Sequence, residues 1–135
     1  MIVVVDTNIL FSFFWQDSLI RRILMSKNIE FFSPELAIDE LKRYSSSISK
    51  KTKLSKEEFN DKIVNLKSFV KFIPKKDFSS FIQEAEKIAP DKDDIDFLSL
   101  CLKLNAPLWS NDNELKKQNK IIVFDIKDII ELYLD

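Results

Sequence analysis

The chain has 135 residues, with 21 Lys and Arg against 22 Asp and Glu for a formal net charge of -1, which fits one domain and leaves no room for a second of ordinary size. Hydrophobic residues make up 45% and charged residues 32%, enough for a buried core; no apolar run approaches the ~20 residues that span a bilayer. Histidine and glycine are both absent, which excludes Ser-His-Asp and Cys-His catalysis, histidine-ligated zinc and Gly-rich phosphate loops. 

Met1-Ile-Val-Val-Val-Asp6 lacks the basic start and long apolar stretch of a signal peptide, and Cys101 is the sole cysteine, so a cytoplasmic protein without disulfides is expected. Ile2 to Val5 is a short β-branched run of the kind a parallel strand buried on both faces shows, and Asp6 ends it. Further strands are predicted over 29–32, 70–73, 107–109 and 121–124. Helical patterns alternate with them over 17–26, 34–49, 55–69, 78–89, 91–104, 113–118 and 126–132. Ser33-Pro34-Glu35 reads as an N-cap followed by proline at the first helical position, and Ser55 with Glu58 as a capping box. The Ser/Lys stretch from Ser45 to Ser55 reads as a turn between two helices. Strands alternating with helices predict an α/β fold on a largely parallel sheet of five strands.

Ligands of open parallel sheets collect beyond the carboxyl ends of the strands, where Asp6 and Asp112 fall. Either aspartate alone also reads as a helix N-cap. Helical projection sets Asp96 with Lys92, Ser99 and Lys103 on a solvent stripe, and Asp94 with Leu98 and Cys101 on an apolar one. A carboxylate aimed at a core needs a cation or a hydrogen-bonded partner. In the earlier helix Ala37, Leu41, Tyr44 and Ile48 project to the core and Asp39 to solvent; Glu40 sits at the edge, placed to reach inward or to stay an ordinary boundary glutamate. Brought together, Asp6, Glu40, Asp94 and Asp112 would raise each other's pKa unless hard divalent cations neutralised them.

The ordered set Met1-Ile-Val-Val-Val-Asp6-Thr7-Asn8, Glu40 in a helix, Asp94 opening an apolar helix and Leu108-Trp109-Ser110-Asn111-Asp112 resembles the signature of PIN-domain nucleases, toxin-type short prokaryotic members included. That resemblance implies a three-layer α/β/α sandwich on a mostly parallel sheet, spanning residues 1–135. It also implies an acidic Mg²⁺ or Mn²⁺ pocket that cleaves RNA, with Asp6, Glu40, Asp94 and Asp112 as the metal-binding, catalytic acids. Asn8 and Ser110 match positions that line the pocket; Asp96 and Cys101 depart from the pattern without touching the acids. Asp91 and Asp93 read either as auxiliary acids or as the solvated start of their helix. Also implied are a homodimer and, for a toxin, a small antitoxin partner.

RNA is a polyanion, so an acidic pocket needs a basic surface beside it. From Lys42 to Lys76 the chain holds eleven basic residues and three acids, against ten and nineteen elsewhere. The expected RNA approach is therefore Lys42, Arg43, Lys50, Lys51, Lys53 and Lys56; the alternative is a solvated helical pair. Phe11, Phe13, Phe14 and Trp15 form an aromatic cluster suited to core packing, a dimer contact or base stacking. A catalytically silent module that binds RNA or protein is the alternative to a nuclease. A phosphatase fits poorly, because position 8 is asparagine where that chemistry needs a second aspartate.

Overall fold

Val3, Val4 and Val5 are each fully buried, so the first apolar run has no face left for water and belongs at the centre of a sheet. The computed structural model, which describes residues 1–15 and 18–134, places it there. Strands β1 (Ile2–Val5), β2 (Glu30–Pro34), β3 (Val70–Ile73), β4 (Leu108–Trp109) and β5 (Val123–Phe124) form one sheet in the order β3-β2-β1-β4-β5, with every neighbouring pair parallel. The chain steps outward from β1 through β2 to β3, then crosses back to lay β4 on the other side of β1. Right-handed connections put the helices of these two halves on opposite faces, giving three layers.

The five strands fall where the apolar runs predict them, with shifted ends. The last is shorter than 121–124 because Gln118 clamps Ile121 instead: its Oε1 accepts from the Ile121 amide at 2.9 Å and its Nε2 donates to the Ile121 carbonyl at 2.7 Å. Ser33-Pro34 does not start a helix. Pro34 ends β2 in register with Ile73, and the buried Ser33 hydroxyl donates to the Val5 carbonyl at 2.8 Å, tying β2 to β1. A proline fits here because its strand pairing is at the final residue.

The predicted helix 34–49 is two, α3 (Leu36–Arg43) and α4 (Ser45–Thr52), broken at Tyr44 with φ -97° and ψ 14°. The break turns Tyr44 out, 49% exposed, while Ala37, Leu41 and Ile48 stay in the core as projected. The Ser/Lys stretch is therefore helix, held by Ile48, rather than turn. After it α5 (Lys56–Leu66) opens on the expected capping box, with Ser55 Oγ and Glu58 Oε1 each accepting the other's amide at 3.0 Å. Further elements are α1 (Thr7–Leu10), α2 (Leu19–Leu24), α6 (Ile82–Ile88), α7 (Ile95–Leu104) and α8 (Ile126–Leu134). Periodicity does not reveal α1 and its 3-10 continuation Phe11–Phe14, since the aromatics there have no amphipathic spacing. Asp17, the expected start of the next helix, lies outside the described residues; Ser18 caps α2 through the Arg21 amide at 3.2 Å. The predicted solvent stripe of α7 is also corrected: Ser99 is fully buried and donates to the Ile95 carbonyl at 2.7 Å, and Asp96 faces Lys75 at 4.0 Å. None of the described helices is long and apolar enough to cross a membrane.

Without glycine, left-handed backbone falls to other residues: Lys53 at φ 62° ends α4 and Asn105 at φ 51° ends α7. Asparagine tolerates this region and lysine does not. Lys53→Gly should stabilise the protein by about 1 kcal/mol in urea unfolding, whereas Asn105→Gly should change little.

Candidate active site

The strand order reverses between β1 and β4, and a crevice opens beyond their carboxyl ends at such a switch point. Asp6 follows β1 directly. Its amide donates to the Trp109 carbonyl at 3.0 Å, and its own carbonyl accepts from Ile9 and Leu10, so the residue is fixed to β4 and to the start of α1 at once. Asp6 occupies the N-cap position of α1 without a side-chain capping bond. Its carboxylate turns instead to β4, where the buried Ser110 hydroxyl donates to Oδ2 at 2.7 Å. Burial pushes the Asp6 carboxyl above its ordinary range. The Ser110 bond and the amide dipoles of Asn8 and Thr7 oppose that shift, and the charge of Asp112 adds to it.

Three further acids face this point from separate elements. Glu40, half-buried on α3, accepts from the buried Thr7 hydroxyl at 3.1 Å; burial raises its pKa, as do the charges of Asp6 and Asp93, while Thr7 and Arg43 lower it. Asp94, at the N-terminus of α7, has its pKa raised to about 6 by burial first, then by the charges of Asp6, Asp112 and Asp91. Leu98 and Cys101 are buried below it, as the helical projection has them. Asp112 is exposed and caps the 3-10 turn Asn113–Lys117, its Oδ1 accepting from the Glu114 amide at 3.0 Å. Its own amide donates to Ser110 Oγ at 3.1 Å, so one serine joins Asp6 to Asp112.

Sequence reasoning passed over Thr7, although it stands inside the quoted first motif; a buried hydroxyl beside a strand end was the available signal. Asn8 is exposed, and its side chain makes no hydrogen bond among the described residues. Asp91 caps the turn Lys92–Asp94 through the Asp93 amide at 3.0 Å, which gives it a structural role at the helix start.

Among the described residues no ion pair reaches Asp6, Glu40, Asp94 or Asp112, and the one basic group that acts on them from a distance is Arg43, on Glu40. An all-oxygen, anionic donor set suits a hard divalent ion. No three acidic side chains among the described residues stand close enough to grip one ion together. Mg²⁺ takes only one or two protein carboxylates and keeps several waters, so it does not require a grip of three.

The basic residues divide around α4. Lys42 and Lys56 line a cleft of about 480 Å³ with Ser45 and Ser49, on a side that does not include the acids. Lys51 lines a groove that includes Glu40 and Asn8, and Arg43 acts electrostatically on Glu40. Lys50 and Lys53 are exposed at the end of α4.

The family profile described as PIN domain matches residues 4–125. Among solved structures, a chain in the crystal structure of VapBC2 from Rickettsia felis, bound to a DNA fragment from their promoter, aligns with a TM-score of 0.65. The alignment covers 93% of this chain and 98% of that one at 24% identity, a likeness of fold. No curated protein sequence matches the chain.

Proposed function

The chain belongs to the PIN-domain family, and from that premise we propose that it is a divalent-metal-dependent ribonuclease that cuts phosphodiester bonds at the crevice between β1 and β4. One observation carries the reading: four carboxylates from four separate elements act on each other electrostatically at the switch point, and no ion pair among the described residues reaches them. A structural acid is capped or paired; only Asp112 is capped here.

Mg²⁺ or Mn²⁺, when bound, supplies Lewis acidity toward the phosphate and acidifies the attacking water. Asp6, the most buried of the four, would hold it together with the half-buried Glu40 and Asp94 and the exposed Asp112. Thr7 keeps Glu40 turned inward, and Ser110 keeps Asp6 in one orientation while anchoring Asp112. Ser110→Ala frees Asp6 to rotate, so Mn²⁺ affinity by calorimetry should fall about 10- to 100-fold, as for other lost ligand-orienting bonds.

The test is direct. Single-stranded RNA should be cut in Mn²⁺ or Mg²⁺ and left intact in EDTA on a denaturing gel; cutting that survives EDTA, or none with any divalent ion, rejects the reading. Its finer form makes the chain the toxin of a toxin–antitoxin pair, acting on cytoplasmic RNA as a homodimer and silenced by a small partner. An adjacent reading frame encoding such a partner, whose product blocks cleavage, is the check.

A further inference from the structure

Glu40, one of the four acids, lies at one end of a longer surface track. A groove of about 410 Å³ opens from Asn8 and Glu40 and is walled by Phe11, Trp15, Tyr44 and Lys51. Past Trp15 and Lys51, which line both, it continues into a second groove of about 440 Å³ bordered by Arg21 and Lys62. The aromatic cluster of the sequence is split along this track. Phe13 and Phe14 are buried, Phe14 stacked on Phe59 at 4.9 Å, whereas Trp15 remains 39% exposed. Phe11 meets Tyr44 edge to face at 5.9 Å, which steadies the half-exposed Tyr44 ring beside the acids.

Acid crevice, exposed rings and basic groove follow one another in that order. A nucleic-acid strand repeats phosphate, base, phosphate. Rings flanked by lysines form the usual platform for an unpaired base, which every base can use through its π-face. A base inside a duplex is stacked on its neighbours and cannot reach such rings. The exposed Asn8 amide, without a hydrogen bond among the described residues, stands where a base edge would need a donor and an acceptor. In the second groove Glu58 accepts from the Ser55 amide and is paired electrostatically with Lys62, leaving Lys51 to face a phosphate.

We propose that this track seats the unpaired nucleotide next to the cleaved phosphate, its base on Tyr44, Phe11 and Trp15, its edge at Asn8, and its outer phosphate at Lys51. The assignment rests on the nuclease reading and adds to it the residues that hold the base beside the cut.

The test uses the whole protein in EDTA, where the strand stays uncut, titrated with a uridine octamer. Trp15 reports binding through its fluorescence, because Trp109 is fully buried. Wild type should be quenched by the octamer and not by a duplex. Tyr44→Ala should weaken binding about tenfold, the loss of one base stack, and Tyr44→Phe should restore it. Lys51→Glu should lower the salt slope by about one phosphate contact. Both positions are exposed, and melting curves check that the variants fold. Unchanged binding in Tyr44→Ala overturns the proposal, and leaves the nuclease reading intact if Mn²⁺-dependent cutting continues. Tyr44-dependent binding in a protein that cuts no RNA supports the groove and overturns the nuclease reading. Trp15 covered by a second copy or a partner protein, with no response to the octamer, makes the groove a protein interface and overturns the proposal.

Discussion

Replacing Asp94 with Asn should reduce RNA cleavage by about a thousandfold or more, the scale seen when one preorganised electrostatic group is removed, while leaving the fold at least as stable as before. The two halves of this expectation have the same cause. Asp94 is half-buried with the charges of Asp6, Asp112 and Asp91 around it and has its pKa raised to about 6. A carboxyl whose folded pKa lies above its unfolded value binds protons more tightly in the folded state. Its contribution is therefore favourable at low pH, declines as pH climbs from about 4 through 6, and is fully adverse above that. Asparagine carries no charge at any pH and caps a helix equally well. In EDTA at pH 7.5 the variant should be more stable by roughly 1 kcal/mol once solvent screening of a half-exposed group is allowed for. By pH 4 the advantage should vanish. Urea unfolding at the two pH values measures it, and an Asn variant that cuts RNA at the wild-type rate removes Asp94 from the site.

Divalent ions should reverse that adverse balance. With Mn²⁺ at a hundredfold excess over its dissociation constant the folded state gains about 2.7 kcal/mol, which for a chain of this length raises the melting temperature by about 8 °C. The gain should shrink below pH 6, where protons compete for Asp94, and again for Glu40 and Asp6, whose pKa values are raised as well. In Asp6→Asn most of it should be lost, because Asp6 is the acid fixed to two strands and held by Ser110. Differential scanning fluorimetry in EDTA, Mg²⁺ and Mn²⁺ reads this without reference to activity. Equal shifts in wild type and Asp6→Asn would place the ions elsewhere.

Much of the fold is legible locally. Val3 to Val5 announce a strand buried on both faces, Ser55 and Glu58 announce a helix start, and the spacing of Asp94, Leu98 and Cys101 announces an acid above a buried stripe. Each depends on a few neighbouring residues, and the structure keeps each of them. The misreadings share a different origin. Ser33 and Pro34 carry a helix-start pattern, yet the Ser33 hydroxyl is used by the Val5 carbonyl of another strand. Tyr44 fits the apolar spacing of one long helix, yet the chain breaks there and leaves its ring beside Phe11. Ser99 belongs by period to a solvent face, yet it is fully buried within α7. Tertiary partners far along the chain overrode local preference at Ser33 and Tyr44, and burial did so at Ser99.

The same division holds for the site. Composition alone left carboxylate, amine, hydroxyl and amide groups for the chemistry, with hard ions the metals that carboxylates favour. The order of short motifs pointed to the family. That Ser110 holds Asp6 was decided by the crossover that sets β4 beside β1; that Thr7 holds Glu40, and that Trp15 and Tyr44 stay exposed while Phe13 and Phe14 are buried, was decided by the packing of distant segments in the other half of the sheet. Backbone and burial preferences act over a few residues and are written into the sequence pattern. That residues 6, 40, 94 and 112 act on one another depends on strand order, a long-range choice settled only when the whole sheet closes around its core.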